Sequence, residues 1–281
     1  MMAGVLRALE RLLLPNACVA CERPVEPRRP DALVCGPCLS RLRYLGPGCE
    51  RCRQPMPPVG PCRFCDGWPR SLESVLSAVW LGAEAREMIH HLKYEGYTAL
   101  AGAIADVIRR AAPHPPTGVL VPVPLGARRR RARGYNQATA IARALSARWR
   151  LPVWEHVLGR PRDTRSQTSL GPEERRSNVA GVFAAATPPG ALGKRDAASG
   201  ERRDSDRTAP GMGPRKASGP AVILVDDVLT TGATLAAAAS ALEGAGWPTV
   251  SAVTFARALP FARRATEGDG SVGALVAVGA T

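Results

Sequence analysis

No stretch of this chain approaches the roughly 18 consecutive apolar residues that a membrane-spanning helix needs, so no transmembrane segment is expected. Residues Met1 to Leu14 carry Val5, Leu6, Leu9, Leu12 and Leu13, but Arg7, Glu10 and Arg11 interrupt them. A secretory leader needs an unbroken apolar centre and a small-residue cleavage site, and neither is found there. Residues 1–15 read instead as a short amphipathic helix, on a protein expected in the cytoplasm. Acidic charge is scarce: 24 Asp and Glu stand against 38 Lys and Arg, a net charge of +14. That balance points to polyanionic partners, whether phosphates, nucleic acid or an acidic membrane surface. A Gly-x-x-x-x-Gly-Lys-Ser/Thr loop is missing, which excludes a Walker-type nucleotide site. One Gly-x-Gly-x-x-Gly match, Gly268 to Gly273, follows no convincing strand, and eight residues after it cannot build a βαβ unit.

Cysteine is absent after residue 65 and concentrated before it, in four Cys-x-x-Cys pairs: Cys18/Cys21, Cys35/Cys38, Cys49/Cys52 and Cys62/Cys65. Two intervening residues let both thiolates of a tight knuckle face one metal, and two knuckles complete a tetrahedral Cys₄ zinc site. The segment over residues 16–70 holds few large apolar residues, so metal must stand in for a core. Disulfides are the rival reading, disfavoured in a chain expected in the cytoplasm. Iron–sulfur clusters usually group three cysteines closely, which these spacings do not. Two structural zinc ions are expected. Sequential pairing, Cys18/Cys21/Cys35/Cys38 and Cys49/Cys52/Cys62/Cys65, is the simplest arrangement; an interleaved one stays open.

From Ser74 the texture changes. Val75–Leu81 and Val119–Val123 read as strands, with a short strand near Val153. Helical spacing runs over Ala83–Tyr94, Ala99–Ala111 and Gln137–Arg148. Such alternation predicts an α/β fold with a mostly parallel sheet flanked by helices. Length allows one or two domains with ample core. Five arginines occur in the six residues Arg128–Arg133. Alone, such a run reads as a solvated basic loop or a nucleic-acid patch. Here it lies between a strand end and a helix start, where an α/β crevice would be. Residues 160–167 are basic and polar, a loop suited to closing over a phosphate. His90 and His91 are adjacent and cannot share a metal; Lys93 at the helix end suits the helix dipole.

The most informative stretch is Val222-Ile-Leu-Val-Asp-Asp-Val-Leu-Thr-Thr-Gly-Ala-Thr234. Apolar residues predict a buried strand, Asp226 and Asp227 sit at its C-terminal end, and a turn leads into a helix over about Leu235–Glu243. Ligands of open α/β sheets bind at carboxyl strand ends, and free N–H groups at a helix start hold phosphate. Paired acids beside that cradle suit a sugar phosphate. An acidic helix cap is the plainer alternative, but a cap needs one acid and no Thr-Thr-Gly-Ala-Thr.

These residues resemble the PRPP-binding motif of type I phosphoribosyltransferases. The resemblance implies that Asp226 and Asp227 bind the ribose hydroxyls of PRPP (5-phosphoribosyl 1-pyrophosphate). It also implies that Thr230, Thr231, Gly232, Ala233 and Thr234 hold its 5′-phosphate. Leu92-Lys-Tyr94, Val121-Pro-Val-Pro-Leu125, Arg133-Gly-Tyr-Asn-Gln137, Arg162-x-Thr164-x-Ser166-Gln167, Glu174-Arg175-x-x-Asn178 and the cysteine pairs extend the likeness to the ComF family of competence proteins. Tyr135 stands where that family usually has Phe. The fold implied is a double zinc ribbon fused to a phosphoribosyltransferase domain over residues 74–258. Catalytic roles fall to Asp226, Asp227, Arg129 and Arg133; Lys93, Thr164 and Gln167 join the phosphate-loop residues in holding PRPP with Mg²⁺. The activity implied is phosphoribosyl transfer to a nitrogen acceptor. The alternative is a nucleic-acid-binding accessory of DNA uptake, meeting single-stranded DNA and the uptake machinery and keeping PRPP as a ligand. Residues 187–219, rich in Pro, Gly, Ser and charge, are expected to be a disordered insertion; residues 259–281 form an atypical tail.

Overall fold

The computed structural model describes residues 17–25, 32–55, 60, 62–115, 117–161, 181–189 and 219–258. The expected amino-terminal helix, the tail and most of the proposed insertion lie outside these residues. Elements in chain order are α1 (Gly36–Ser40), β1 (Leu72–Trp80), α2 (Ala83–Tyr94), α3 (Leu100–Ala111), β2 (Val119–Pro122) and α4 (Ala127–Arg133). They continue with α5 (Gln137–Trp149), β3 (Leu158–Gly159), β4 (Ala184–Ala185), β5 (Val222–Leu229), α6 (Ala233–Gly244) and β6 (Val250–Arg257).

The main sheet is parallel throughout, as expected, in the order β1-β6-β5-β2. The first four residues of β5 are all buried, as both-sided covering demands of a parallel strand. Ile223 and Val225 face one layer with Met88, Leu92, Ile104, Ile141 and Leu145 of α2, α3 and α5. Val222 and Leu224 face the other, against Leu235, Ala238 and Leu242 of α6. Each such fully buried aliphatic side chain contributes about 1.5–3 kcal/mol. The predicted strand near Val153 is a single parallel bridge to Leu120 on the outer side of β2. β3 and β4 form a small antiparallel pair, and Trp247 fastens that region by donating to Ala186 O at 2.7 Å.

The direction of the connections positions the site. From β2 the chain leaves through α4 and α5 to Val153, outward from the sheet centre. From β5 it leaves through α6 to β6, inward, and over the opposite face. Adjacent parallel strands whose connections diverge leave a crevice at their carboxyl ends. Two expectations shift here. β5 continues through both aspartates to Leu229, so the acids belong to the strand and not to its end. The arginine run is helix α4 and not a loop, closed by Gly134 in the left-handed conformation (φ 81°), which glycine adopts without steric penalty.

The cysteine segment is laid along the sheet. Tyr44 bridges Val79 antiparallel, Leu45 N donates to Ala78 O at 3.1 Å, and Trp80 N donates to Arg43 O at 2.8 Å. The free edge of β1 is therefore covered.

Candidate functional site

Two cysteine clusters form in the sequential pairing: Cys18, Cys21, Cys35 and Cys38, then Cys49, Cys52, Cys62 and Cys65, each with its sulfurs within 4.8 Å of one another. All eight are free thiols. Tetrahedral zinc with bonds of about 2.3 Å sets its sulfurs roughly 3.8 Å apart. The Cys21–Cys35 and Cys49–Cys65 sulfurs are 3.7 Å apart, and Cys52–Cys62 3.6 Å. The donor sets therefore fit two zinc ions. Cys35 stands at the N-cap of α1, which carries Cys38, and the Cys35 amide donates to Cys18 Sγ at 3.3 Å. Burial pushes the Cys18 thiol up, but the Cys35 and Ala20 amides outweigh it and bring it to about 7. Cys49 likewise settles at about 7, its burial offset by the Cys52 and Arg51 amides. Cys52 is pushed up to about 11 by burial, and Cys38 and Cys65 rise through burial and crowding by neighbouring sulfurs. Four thiolates gathered so closely need a cation among them, and bound metal supplies it.

The second site is a cleft of about 540 Å³ at the β2/β5 crevice. Asp226, Asp227, Thr230, Thr234, Arg129 and Arg133 all line it, as do Lys93, Gln137 and Arg160. Sequence numbers 129, 132 and 133 share one helical face, so α4 turns two of its arginines to the cleft and leaves Arg128, Arg130 and Arg131 exposed. Thr231 caps the turn, its hydroxyl accepting from Ala233 N at 3.4 Å. Gly232, with φ 79°, stands at the N-cap of α6. Thr164 and Gln167 lie outside the described residues.

Asp227 is buried and ion-paired with Lys93, and it accepts from Gln137 Nε2 at 3.4 Å. Burial alone would raise its carboxyl, but the Lys93 ammonium overcomes this and holds it below the usual range. Burial would depress Lys93; the same pair raises it. Asp226 has no such ion-pair partner among the described residues. Burial and repulsion from Asp227 push it well above an ordinary aspartate, while its Oδ1 accepts from the Asp227 amide at 2.9 Å. One acid is thus held ionised and its neighbour is disposed to keep its proton, an asymmetry that hydroxyl donors and a cation in the cleft would relieve.

Gln137 and Asn136, which close the Arg133–Gln137 motif, have structural roles that the motif alone does not reveal. Gln137 links the acids to the arginines, since Arg133 donates to its Oε1 while its Nε2 reaches Asp227. Asn136 caps α5 by accepting from Ala138 N at 3.1 Å and ties it to the β2 end by donating to Val123 O at 3.0 Å. A helix N-cap read from Asn136 was the available signal. Arg133 also stacks over the exposed Tyr94 ring at 5.3 Å. His90 and His91 both reach the Glu95 carboxylate, at 3.4 and 2.7 Å.

No family model matches the chain. It is similar to DNA utilization protein YhgH of Salmonella typhi, 26% identical over 257 residues that cover 88% of this chain and 100% of that protein. Competence protein F of Haemophilus influenzae is 23% identical over 78% of this chain and 80% of its own length. Competence protein ComFC of Bacillus subtilis is 30% identical over 42% of this chain and 53% of that protein.

Proposed function

We propose that this chain, a relative of the ComF family, binds PRPP with Mg²⁺ in the β2/β5 cleft and serves in the handling of DNA during uptake. The observation that carries the reading is the meeting, in one cleft, of two adjacent aspartates, a threonine-lined helix start and two arginines on one helical face. Each part suits one portion of a phosphorylated pentose. The carboxylates of Asp226 and Asp227 accept hydrogen bonds from two vicinal hydroxyls. Backbone N–H groups of Thr230–Thr234 take the 5′-phosphate, aided by the helix dipole. Arg129 and Arg133 neutralise pyrophosphate. Bound Mg²⁺ would supply further positive charge to that leaving group.

If phosphoribosyl transfer occurs, the C1′–O bond breaks and pyrophosphate departs with the electron pair. A nitrogen lone pair then forms the new bond to C1′ and the acceptor sheds a proton. These residues contribute orientation and charge stabilisation to that step. Calorimetric titration with PRPP and Mg²⁺ tests the reading. Wild-type protein should bind with micromolar affinity, on the order of −8 kcal/mol, and Asp226→Ala/Asp227→Ala should bind at least a hundredfold more weakly. Absence of binding by the wild type overturns it.

A second reading is favoured by a separate observation. Arg128, Arg130 and Arg131 stand exposed on a chain of charge +14, and relatives carry names of DNA utilization and competence. On this reading the protein is a cytoplasmic nucleic-acid-binding accessory of uptake, with PRPP as ligand and not as substrate.

A further inference from the structure

Gly232 meets a residue from the far end of the chain. A Cβ built on it would lie 2.3 Å from Cζ2 and 2.6 Å from Cε2 of Trp68. The indole therefore packs closely against the backbone of the turn that leads into α6, and only glycine fits there. Trp68 is held in turn by the second cysteine cluster. Its amide donates to Cys65 O at 3.2 Å, and its ring meets Phe64 edge-on at 5.6 Å. Arg51, between Cys49 and Cys52, donates to Cys65 O at 3.0 Å, Trp68 O at 3.3 Å and Pro69 O at 2.5 Å.

A second tie runs beside the first. Arg257, the last residue of β6, is fully buried and donates to Cys52 O at 2.5 Å and to Gln54 Oε1 at 2.7 Å. Its guanidinium lies 4.1 Å from the Phe64 ring centre. Arg257 pairs in register with Leu229, the residue before Thr230. The first cluster has no such tie among the described residues; its packing is against α2, α3 and the β1 edge.

We propose that Trp68 is a positioning residue for the anion loop, and that metal at Cys49/Cys52/Cys62/Cys65, unlike metal at Cys18/Cys21/Cys35/Cys38, fixes the 230–234 turn through it. Zinc closes the knuckle that carries Phe64 and Trp68, the indole pins Gly232, and the turn's N–H groups are held converged before ligand arrives. Preorganisation of this kind raises affinity by removing an ordering cost. The inference deepens the PRPP reading and rests on it for ligand identity only.

Two measurements on the full-length protein separate the inference from that reading. Amide hydrogen exchange in the ligand-free protein should quicken about tenfold across residues 230–234 in Trp68→Ala, with two equivalents of zinc still bound, while Trp68→Phe restores slow exchange. Cys62→Ala and Cys21→Ala should each lose one zinc, and only Cys62→Ala should quicken exchange in that turn. PRPP titration should show Trp68→Ala binding about tenfold more weakly and Trp68→Phe within threefold of wild type. Unchanged exchange in Trp68→Ala, or equal quickening in Cys21→Ala and Cys62→Ala, overturns the proposal. Wild-type protein that fails to bind PRPP overturns the ligand reading alone, because the exchange comparison needs no ligand.

Discussion

Asp226 and Asp227 are neighbours in sequence with opposite electrostatic situations. An ordinary aspartate loses its proton near 3.8, whereas folded Asp226 keeps its proton to higher pH because of burial and the adjacent carboxylate. Between those two values the unfolded chain is ionised and the folded one is not, so Asp226 subtracts stability as pH rises through the window. Asp227 has the opposite sign: with Lys93 beside it, its contribution is present above 3.8 and is lost only as pH falls through its lowered value. Asp226→Asn should therefore stabilise the protein at pH 8 by about 1–3 kcal/mol and show a smaller gain at pH 5, read from denaturant unfolding at both. A gain that is equal or larger at pH 5 would contradict this assignment. The acids themselves were plain in the sequence, since two carboxylates after four apolar residues have few other uses. Lys93 as partner of Asp227 was not, because 134 positions separate them and only the sheet order brings α2 over β5. Trp68 was hidden for the same reason.

At the scale of elements, α4 and α5 deliver the cationic side of the cleft. Asn136 stands between them, and its side chain makes both the α5 cap and the tie to Val123 O. Asn136→Ala should cost about 0.5–2 kcal/mol in stability, the usual worth of an N-cap. It should also weaken PRPP binding several-fold, because Gln137 and Arg133 lose their anchor; thermal melts and titration check the two effects separately. Most strands and helices of the α/β domain were legible, since their apolar periods are clear, although β1 begins three residues earlier than expected; β6 was missed, because Ser251, Ala252, Thr254 and Ala256 dilute its apolar run, and the strand near Val153 is only a single bridge. The arginine helix was not legible. Arg has good helix propensity, but seven residues with no apolar stripe carry no period, and only the flanking Gly126 and Gly134 mark its ends.

Over the whole molecule, the exposed arginines of α4 and the β2/β5 cleft occupy the same end of the sheet. If the exposed face of α4 meets single-stranded DNA, binding should weaken steeply with salt. Arg130→Ala/Arg131→Ala should then reduce the slope of log K against log salt by about 1.4, two phosphate contacts at 0.7 each. Asp226→Ala/Asp227→Ala should leave that slope unchanged. Fluorescence anisotropy over a salt series measures both, and an unaltered slope in the arginine variant would remove α4 from any DNA contact. The sheet order carries a separate consequence for biosynthesis. β6 lies between β1 and β5, yet the Ser77–Thr254 hydroxyl contact of 2.7 Å joins residues 177 positions apart. At 5–20 residues per second, a ribosome needs roughly 9–35 s to travel that distance. Throughout that interval β1 has an unfilled side and Cys52 O awaits the guanidinium of Arg257. A nascent chain is then most vulnerable to wrong strand pairing while its metal-binding portion is already made, and early capture of zinc there would shelter the one edge that residues 43–45 cover.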